Sequence, residues 1–253
     1  MLLFNEEEHR YFWKDYPDKE LTSVSRLLAQ YHEHFDADKM SAKVAEKRKT
    51  TPELILKEWK EENDKSIIRG KSYHAFREEE YYKDKKKNVF KHTETNGLKE
   101  AFDITRLKPG VYPELMLYLP EFDLTGTADY VEIFEDKTFI LEDFKTNKEL
   151  KFSGFMVFNP DSKTRSEKKM YPPISHLGDC NGTHYMLQLS IYAYILEQAG
   201  YKLRPNGLTV HHILFSEDKA FESVPYPVNY LKKEVIALLN HFKNAKSTHN
   251  KGK

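Results

Sequence analysis

Two aspartates stand fourteen residues apart, one in Gly126-Thr-Ala-Asp129 and one in Asp143-Phe-Lys145, and the stretch between them reads as a β-hairpin turning around Glu135-Asp136-Lys137. A turn centred on Asp136 sets Asp129 directly across from Asp143, with Cβ atoms about 4.5–5.5 Å apart. Lys145 then projects from the same face as Asp143, about 6.6 Å along the strand. Two carboxylates so placed repel by about 3–4 kcal/mol at an effective dielectric of about 20, and one lysine cannot neutralise both while also doing chemistry. A hard divalent cation, Mg²⁺ or Mn²⁺, removes the penalty. It also polarises a phosphoryl oxygen and lowers the pKa of water, leaving Lys145 to orient or deprotonate that water or to hold charge developing on phosphorus. A surface hairpin with a cross-strand salt bridge fits the same pattern, since Asp-x-Lys is a common tripeptide.

Further residues extend this chemistry. Ile67, Gly70 and His74 fall at helical spacing, so the imidazole shares a face with Ile67, beside a glycine that permits close backbone approach. A neutral imidazole is a competent metal ligand, although a lone histidine on such a face also serves as a plain core residue. Glu114, next to Pro113, either binds metal or water or stands as a charge at a strand entrance. The helix expected from His184 to Gln198 is apolar almost all round, which marks it as buried. Gln188 inside it needs a partner for its amide, and Tyr192, four residues on, shares its face. That pair either supports the site, touches a nucleotide or forms a hydrogen bond within the core. Glu142 alternates to the face opposite Asp143 and is a poor ligand candidate.

Taken in order, Gly70-Lys-Ser-Tyr-His74, Glu114, Gly126-x-x-Asp129, Ile140-Leu-Glu-Asp-Phe-Lys-Thr146 and Gln188-Leu-Ser-Ile-Tyr192 resemble the motifs of the RecB-like branch of the PD-(D/E)XK nucleases. With Leu21-Thr-Ser-Val-Ser-Arg-Leu-Leu28 they look most like the mitochondrial genome maintenance exonuclease group and related viral exonucleases, from about Leu21 to Tyr194. The resemblance implies an α/β restriction-endonuclease-like core, with a central mixed β-sheet flanked by helices. It implies a metal-dependent DNA exonuclease acting on single-stranded ends in repair or recombination, and through the viral members a phage origin. Asp129 and Asp143 are then metal ligands together with His74, Glu114 is an additional acidic residue, Lys145 is catalytic, and Gln188 and Tyr192 support them. The alternatives are an endonuclease of the same fold and a nucleic-acid-binding or recombination protein that no longer cuts.

Composition narrows the classes. The 253 residues suffice for one elaborated domain. The expected division is an N-terminal hairpin and helical part over 1–110, a catalytic core over 111–246 and a frayed tail over 247–253. No run approaches the ~18 apolar residues of a membrane span, and the first residues lack a signal or transit pattern, so an intracellular, cytoplasmic protein is expected. A single cysteine, Cys180, excludes an internal disulfide framework and a four-cysteine iron–sulfur cluster. No phosphate-loop motif for ATP is present. Forty basic and forty acidic residues cancel, so attraction to DNA must come from local patches.

The positioning elements emerge from pattern. Leu2 to Trp13 reads as a hairpin, and Ser23 or Ser25 caps the helix after it. Helices are expected over Ser41–Lys49, Pro52–Tyr82, Leu98–Phe102 and Val228–Lys246, and strands over Glu114–Leu119 and Leu208–Phe215. Forty-two residues lie between Lys145 and Gln188, and Asn159–Lys169 among them has no periodicity. Loops that long are functional or disordered. Lys163, Arg165, Lys168 and Lys169 would bring this one to a nucleic-acid strand near the site, unless it is simply a solvated loop.

Overall fold

The computed structural model describes residues 1–8, 10–159, 163–216 and 219–249. The chain opens with a hairpin, β1 (Leu2–Asn5) and β2 (Arg10–Trp13), and the short strand β3 (Thr22–Ser23) runs straight into helix α1 (Val24–Leu28). Ser23 is the cap, its Oγ accepting from Arg26 N at 3.1 Å. Helix α2 (Ala37–Arg48) starts earlier than expected because Asp36 caps it, accepting from Lys39 N at 2.9 Å. It ends at Lys49, which takes the left-handed conformation at φ 51°. Thr51 and Pro52 open the 32-residue helix α3 (Pro52–Lys83) as cap and first-turn proline.

Strands β4 (Glu94–Thr95), β5 (Leu98–Glu100), β6 (Gly110–Leu119), β7 (Leu124–Ile133) and β8 (Thr138–Lys145) come next, then the hairpin β9 (Met156–Asn159) and β10 (Thr164–Glu167). Helix α4 (Asn181–Gln198), the long strands β11 (Lys202–Ser216) and β12 (Lys219–Pro227), and helix α5 (Lys232–His249) complete the chain. The main sheet runs β12-β11-β8-β7-β3, with β6 on the other edge of β7. It is mixed: β11 lies parallel to β8 and β3 parallel to β7, while the remaining pairs are antiparallel. Helix α4, backed by α1 and α5, covers one face over Val131, Leu141, Leu187, Leu189 and Leu238. Helix α3 lies on the other, where Tyr73 and Tyr81 pack with Val111, Tyr130, Phe144 and Ile213. The fold is therefore mixed α/β with helices on both faces of a mixed sheet. A smaller sheet, β2-β1-β5-β4, docks on it through Tyr11 Oη and Thr127 Oγ1, 2.6 Å apart, and the Trp13 ring edge-on to Tyr118.

Two irregularities interrupt the main sheet near its centre. First, β7 is paired on its β8 edge only at its ends: β3 meets Leu124 and Thr125, and β8 meets Tyr130 to Ile133. Residues 126–129 lie in the gap, where the strands part. Second, the in-out alternation slips in β6 and β7 at the same level. Leu115, Leu117 and Leu119 face the α4 core, yet so does Tyr112; Leu124 and Ala128 face it, yet so do Val131 and Ile133. The β6–β7 register is the same on both sides of the slip, Pro113 facing Tyr130 and Leu115 facing Ala128, so Glu114 and Asp129 are the residues left over. Glu114 absorbs the distortion with φ 50°, a left-handed conformation that costs a non-glycine residue about 1–2 kcal/mol.

Several elements differ from expectation. Leu98–Phe102 begins with a strand rather than a helix, because Asn96 and Gly97 both take positive φ and make a tight turn that pairs β5 with β4. The aperiodic Asn159–Lys169 stretch is part of the hairpin β9–β10, with Thr164 facing Asn159; its residues 160–162 lie outside the described residues. Helix α5 starts at Lys232, beyond Val228, and runs on to His249, so part of the expected tail is helical and only 250–253 lie outside the described residues. No helix among the described residues is long and apolar enough to cross a membrane.

The parted strands admit α4 closely. A Cβ at Gly126 would stand 2.7 Å from Tyr192 Oη and 2.8 Å from Tyr192 Cε1, so Gly126→Ala forces the helix or its tyrosine to move. The expected loss is about 1–3 kcal/mol, a fall of about 2–4 °C in Tm for each kcal/mol at this chain length. Thermal melts of the two proteins check it, and an unchanged Tm would mean that Tyr192 has room to swing away.

Candidate metal centre

The β7–β8 ladder ends at Tyr130 facing Glu142. One step further it sets Asp129 opposite Asp143, the register that the hairpin reading expects. Asp129 is likewise the residue opposite Glu114 across β6 and β7. Three acidic residues therefore stand at one level on three neighbouring strands. His74 reaches them from α3, its Nδ1 lying 3.3 Å from Glu114 Oε1 and 3.5 Å from Asp129 Oδ1. Helix α3 can come this near because it crosses Thr146 at Gly70, where a Cβ would meet Thr146 Oγ1 at 3.3 Å.

Where the strands part, Phe144 N–H has lost its ladder partner and donates instead to Asp129 Oδ2 at 2.7 Å. Asp143 is 1% exposed at its side chain, with Oδ2 in an ion pair 2.7 Å from Lys145 Nζ. Its Oδ1 has no hydrogen-bond partner among the described residues. Lys145 Nζ also donates to Gln188 Oε1 at 3.3 Å and lies 4.7 Å from the centre of the Tyr185 ring; Gln188 Nε2 passes a hydrogen bond to Tyr192 Oη at 3.2 Å. The half-buried glutamine in the apolar helix thus has the partners its amide requires, and Tyr192 is itself buried.

Three carboxylates here face one ammonium and one imidazole. Burial opposes a charge on His74, but Asp129, then Glu114 and Asp143, outweigh it and hold its pKa at about 9. Burial pushes the Asp129 carboxyl well above its usual range, and the Asp143 charge adds to that. For Lys145 burial works against the ammonium, while Asp143 and Asp129 outweigh it and raise its pKa. The set fits a hard divalent cation. Ligand atoms of His74, Glu114 and Asp129 all lie within 4.8 Å of one another, and Asp143 Oδ1 is a buried oxygen in want of a partner. Asp143 itself is outside that trio and turned to Lys145. His74, Glu114 and Asp129 line a cleft of ≈ 1270 Å³ that Tyr11, Lys71 and Lys99 also border.

The four cations expected to meet a nucleic-acid strand divide into two pairs. Lys163 and Arg165 are exposed on the β9–β10 hairpin. Lys168 is tied to Asp179 and Glu33, both at 3.1 Å, and Lys169 to Glu167 at 2.6 Å. Sequence reasoning missed two supporting residues. Tyr185, three positions before Gln188 on the same helical face, could have been found from that spacing. His92, whose Nε2 lies 3.0 Å from the displaced Glu114 carbonyl and whose Nδ1 lies 2.8 Å from Glu100 O, carries no signal in the sequence.

Asp129→Asn removes the charge that burial penalises yet keeps an oxygen for Phe144 N–H. In a chelator it should melt above the wild type. Saturating Mg²⁺ should reverse the order, since binding to the folded state alone stabilises by about 2.7 kcal/mol at one hundred times Kd and the variant lacks a ligand. Melting curves in the two conditions check this; equal Mg²⁺-induced shifts would remove Asp129 from the ligand set.

No protein-family model matches the chain, and no curated protein was found to match it.

Proposed function

We propose that the chain is a metal-dependent DNA exonuclease with a PD-(D/E)XK core, hydrolysing phosphodiester bonds by water attack at single-stranded ends. One observation carries the reading: Glu114, Asp129 and Asp143 at one level on three adjacent strands, with Lys145 Nζ 2.7 Å from Asp143 and His74 Nδ1 against the other two. Glu114, Asp129, Asp143 and His74 would hold Mg²⁺ or Mn²⁺. A bound divalent cation supplies Lewis acidity towards a phosphoryl oxygen and acidifies water.

The chain's own residues do the rest. Lys145, fixed between Asp143 and Gln188, presents its ammonium to oxygen that gains negative charge as the bond to phosphorus breaks. Gln188 and Tyr192 hold the lysine from behind, Nζ donating to Gln188 Oε1 and Gln188 Nε2 donating in turn to Tyr192 Oη. The Phe144 ring, edge-on to the His74 imidazole and packed against Tyr73, keeps the imidazole aimed at the carboxylates. Tyr11 and the small sheet border the cleft.

End-labelled linear and circular single-stranded DNA, incubated with Mg²⁺ or Mn²⁺, test this reading. Loss of the linear substrate alone is expected; cutting of both selects an endonuclease, and retention without cutting a binding protein. Lys145→Met should slow cleavage on the order of 10²–10⁴-fold, and Gln188→Leu less, since Asp143 still holds the lysine. Near-wild-type cleavage by Lys145→Met would sink the assignment.

For binding, each phosphate contact on a single strand carries about 0.7 of a unit in the salt slope. Alanines at Lys163 and Arg165 together should therefore flatten it by up to about 1.4, measured with Ca²⁺ to hold off cleavage. An unchanged slope would leave the β9–β10 hairpin as a solvated loop.

A further inference from the structure

A second cluster of ligating side chains lies at the N-terminal end of α4. His32 comes directly after the single helical turn Ala29–Tyr31, and Asp179 and His184 flank the start of α4. Backbone bonds from Tyr171 N to Tyr31 O, 2.7 Å, and from Asp179 N to Lys168 O, 2.8 Å, bring these segments together. One ligand atom from each of His32, Asp179 and His184 lies within 4.8 Å of the other two. The imidazoles stack with centroids 4.4 Å apart, and His184 Nε2 is 2.9 Å from Asp179 Oδ1.

The surroundings hold His32 and Asp179 ready for a metal, and His184 Nε2, which donates to Asp179 Oδ1, gives up its proton as a cation binds. His32 Nδ1 lies 3.2 Å from Glu33 O; a carbonyl only accepts, so Nδ1 carries the proton and Nε2 the lone pair. Asp179 is buried, and its Oδ2 is held by Lys168 Nζ at 3.1 Å, which turns Oδ1 towards the imidazoles. A ligating histidine that donates through its other nitrogen and a ligating carboxylate that accepts a hydrogen bond are recurrent features of metal sites.

We propose that His32, Asp179 and His184 form a second metal site for a borderline divalent cation of the zinc class, clamping the chain that leaves α1 to the first turns of α4. Two nitrogens and one carboxylate oxygen suit Zn²⁺, with water in the fourth position, and suit Mg²⁺ poorly. The clamp holds the helix that carries Tyr185, Gln188 and Tyr192, but it touches none of the reacting groups. It stands whether or not the other site cuts DNA.

Co²⁺, standing in for Zn²⁺ in a titration of the full chain, tests the proposal. Four-coordinate cobalt with nitrogen ligands absorbs strongly in the visible, whereas an oxygen-rich six-coordinate site absorbs weakly. The wild type should show an intense band that Zn²⁺ abolishes and Mg²⁺ does not. Asp129→Asn should keep it. His32→Ala should weaken cobalt binding by more than the about 10–100-fold that loss of a ligand's orienting partner costs, and His184→Gln, which keeps a polar side chain, should do the same. A wild type without the band, or a band untouched by both histidine variants, would overturn the proposal, and the wild-type measurement does so even if a variant fails to fold.

Discussion

Carboxylate held out of water with too few cations to match it is the constraint around which this fold is arranged. Asp129 and Asp143 face each other from strands that would otherwise pair, and Glu114 completes the row. Closing the gap between β7 and β8 would press those charges together. Leaving it open strands a backbone amide. The chain resolves the conflict by letting Asp129 accept from Phe144 N–H and by setting Lys145 against Asp143. The left-handed backbone at Glu114 adds strain of the kind that persists where surrounding structure over-determines it.

The same shortage of cations explains why an apolar helix carries a glutamine. Lys145 sits where burial disfavours its charge, and a single carboxylate would leave its other donors unmet. Gln188 supplies an acceptor and Tyr192 takes the amide proton in turn. Tyr192 fits only because Gly126 has no side chain. A residue on β7, two on α4 and one on β8 are therefore one packing unit, and a change at either end is felt at the lysine.

Much of this is legible in the sequence because it is local. The register that opposes Asp129 and Asp143 comes from the position of one turn, and the pairing of Gln188 with Tyr192 from helical spacing. The slip in β6 and β7 is not legible, since alternation of apolar residues cannot mark where a strand changes faces. Leu98–Phe102 reads as helical by composition, although Asn96-Gly97 before it is a turn signal that should have outweighed it. Strand β12 is hidden by Pro225 and Pro227, which an edge strand tolerates and a central one does not. His32, Asp179 and His184 come together only through tertiary packing, and no pattern in the chain links them.

Helix α3 is longer than the sheet it crosses. At about 1.5 Å per residue its 32 residues span about 48 Å, and its first half packs on α2 rather than on the sheet, as Arg48 with Glu58 at 2.7 Å shows. Gly70, pressed on Thr146, is a point of close approach about which the helix could pivot. His74 is one turn away, about 6 Å, while Pro52 is about 27 Å away. A rocking motion of about 5° would carry the Pro52 end by about 2 Å and the imidazole by only about 0.5 Å. With His74 beside that pivot, the outer arm can swing with whatever it touches while the imidazole keeps its spacing from Glu114 and Asp129.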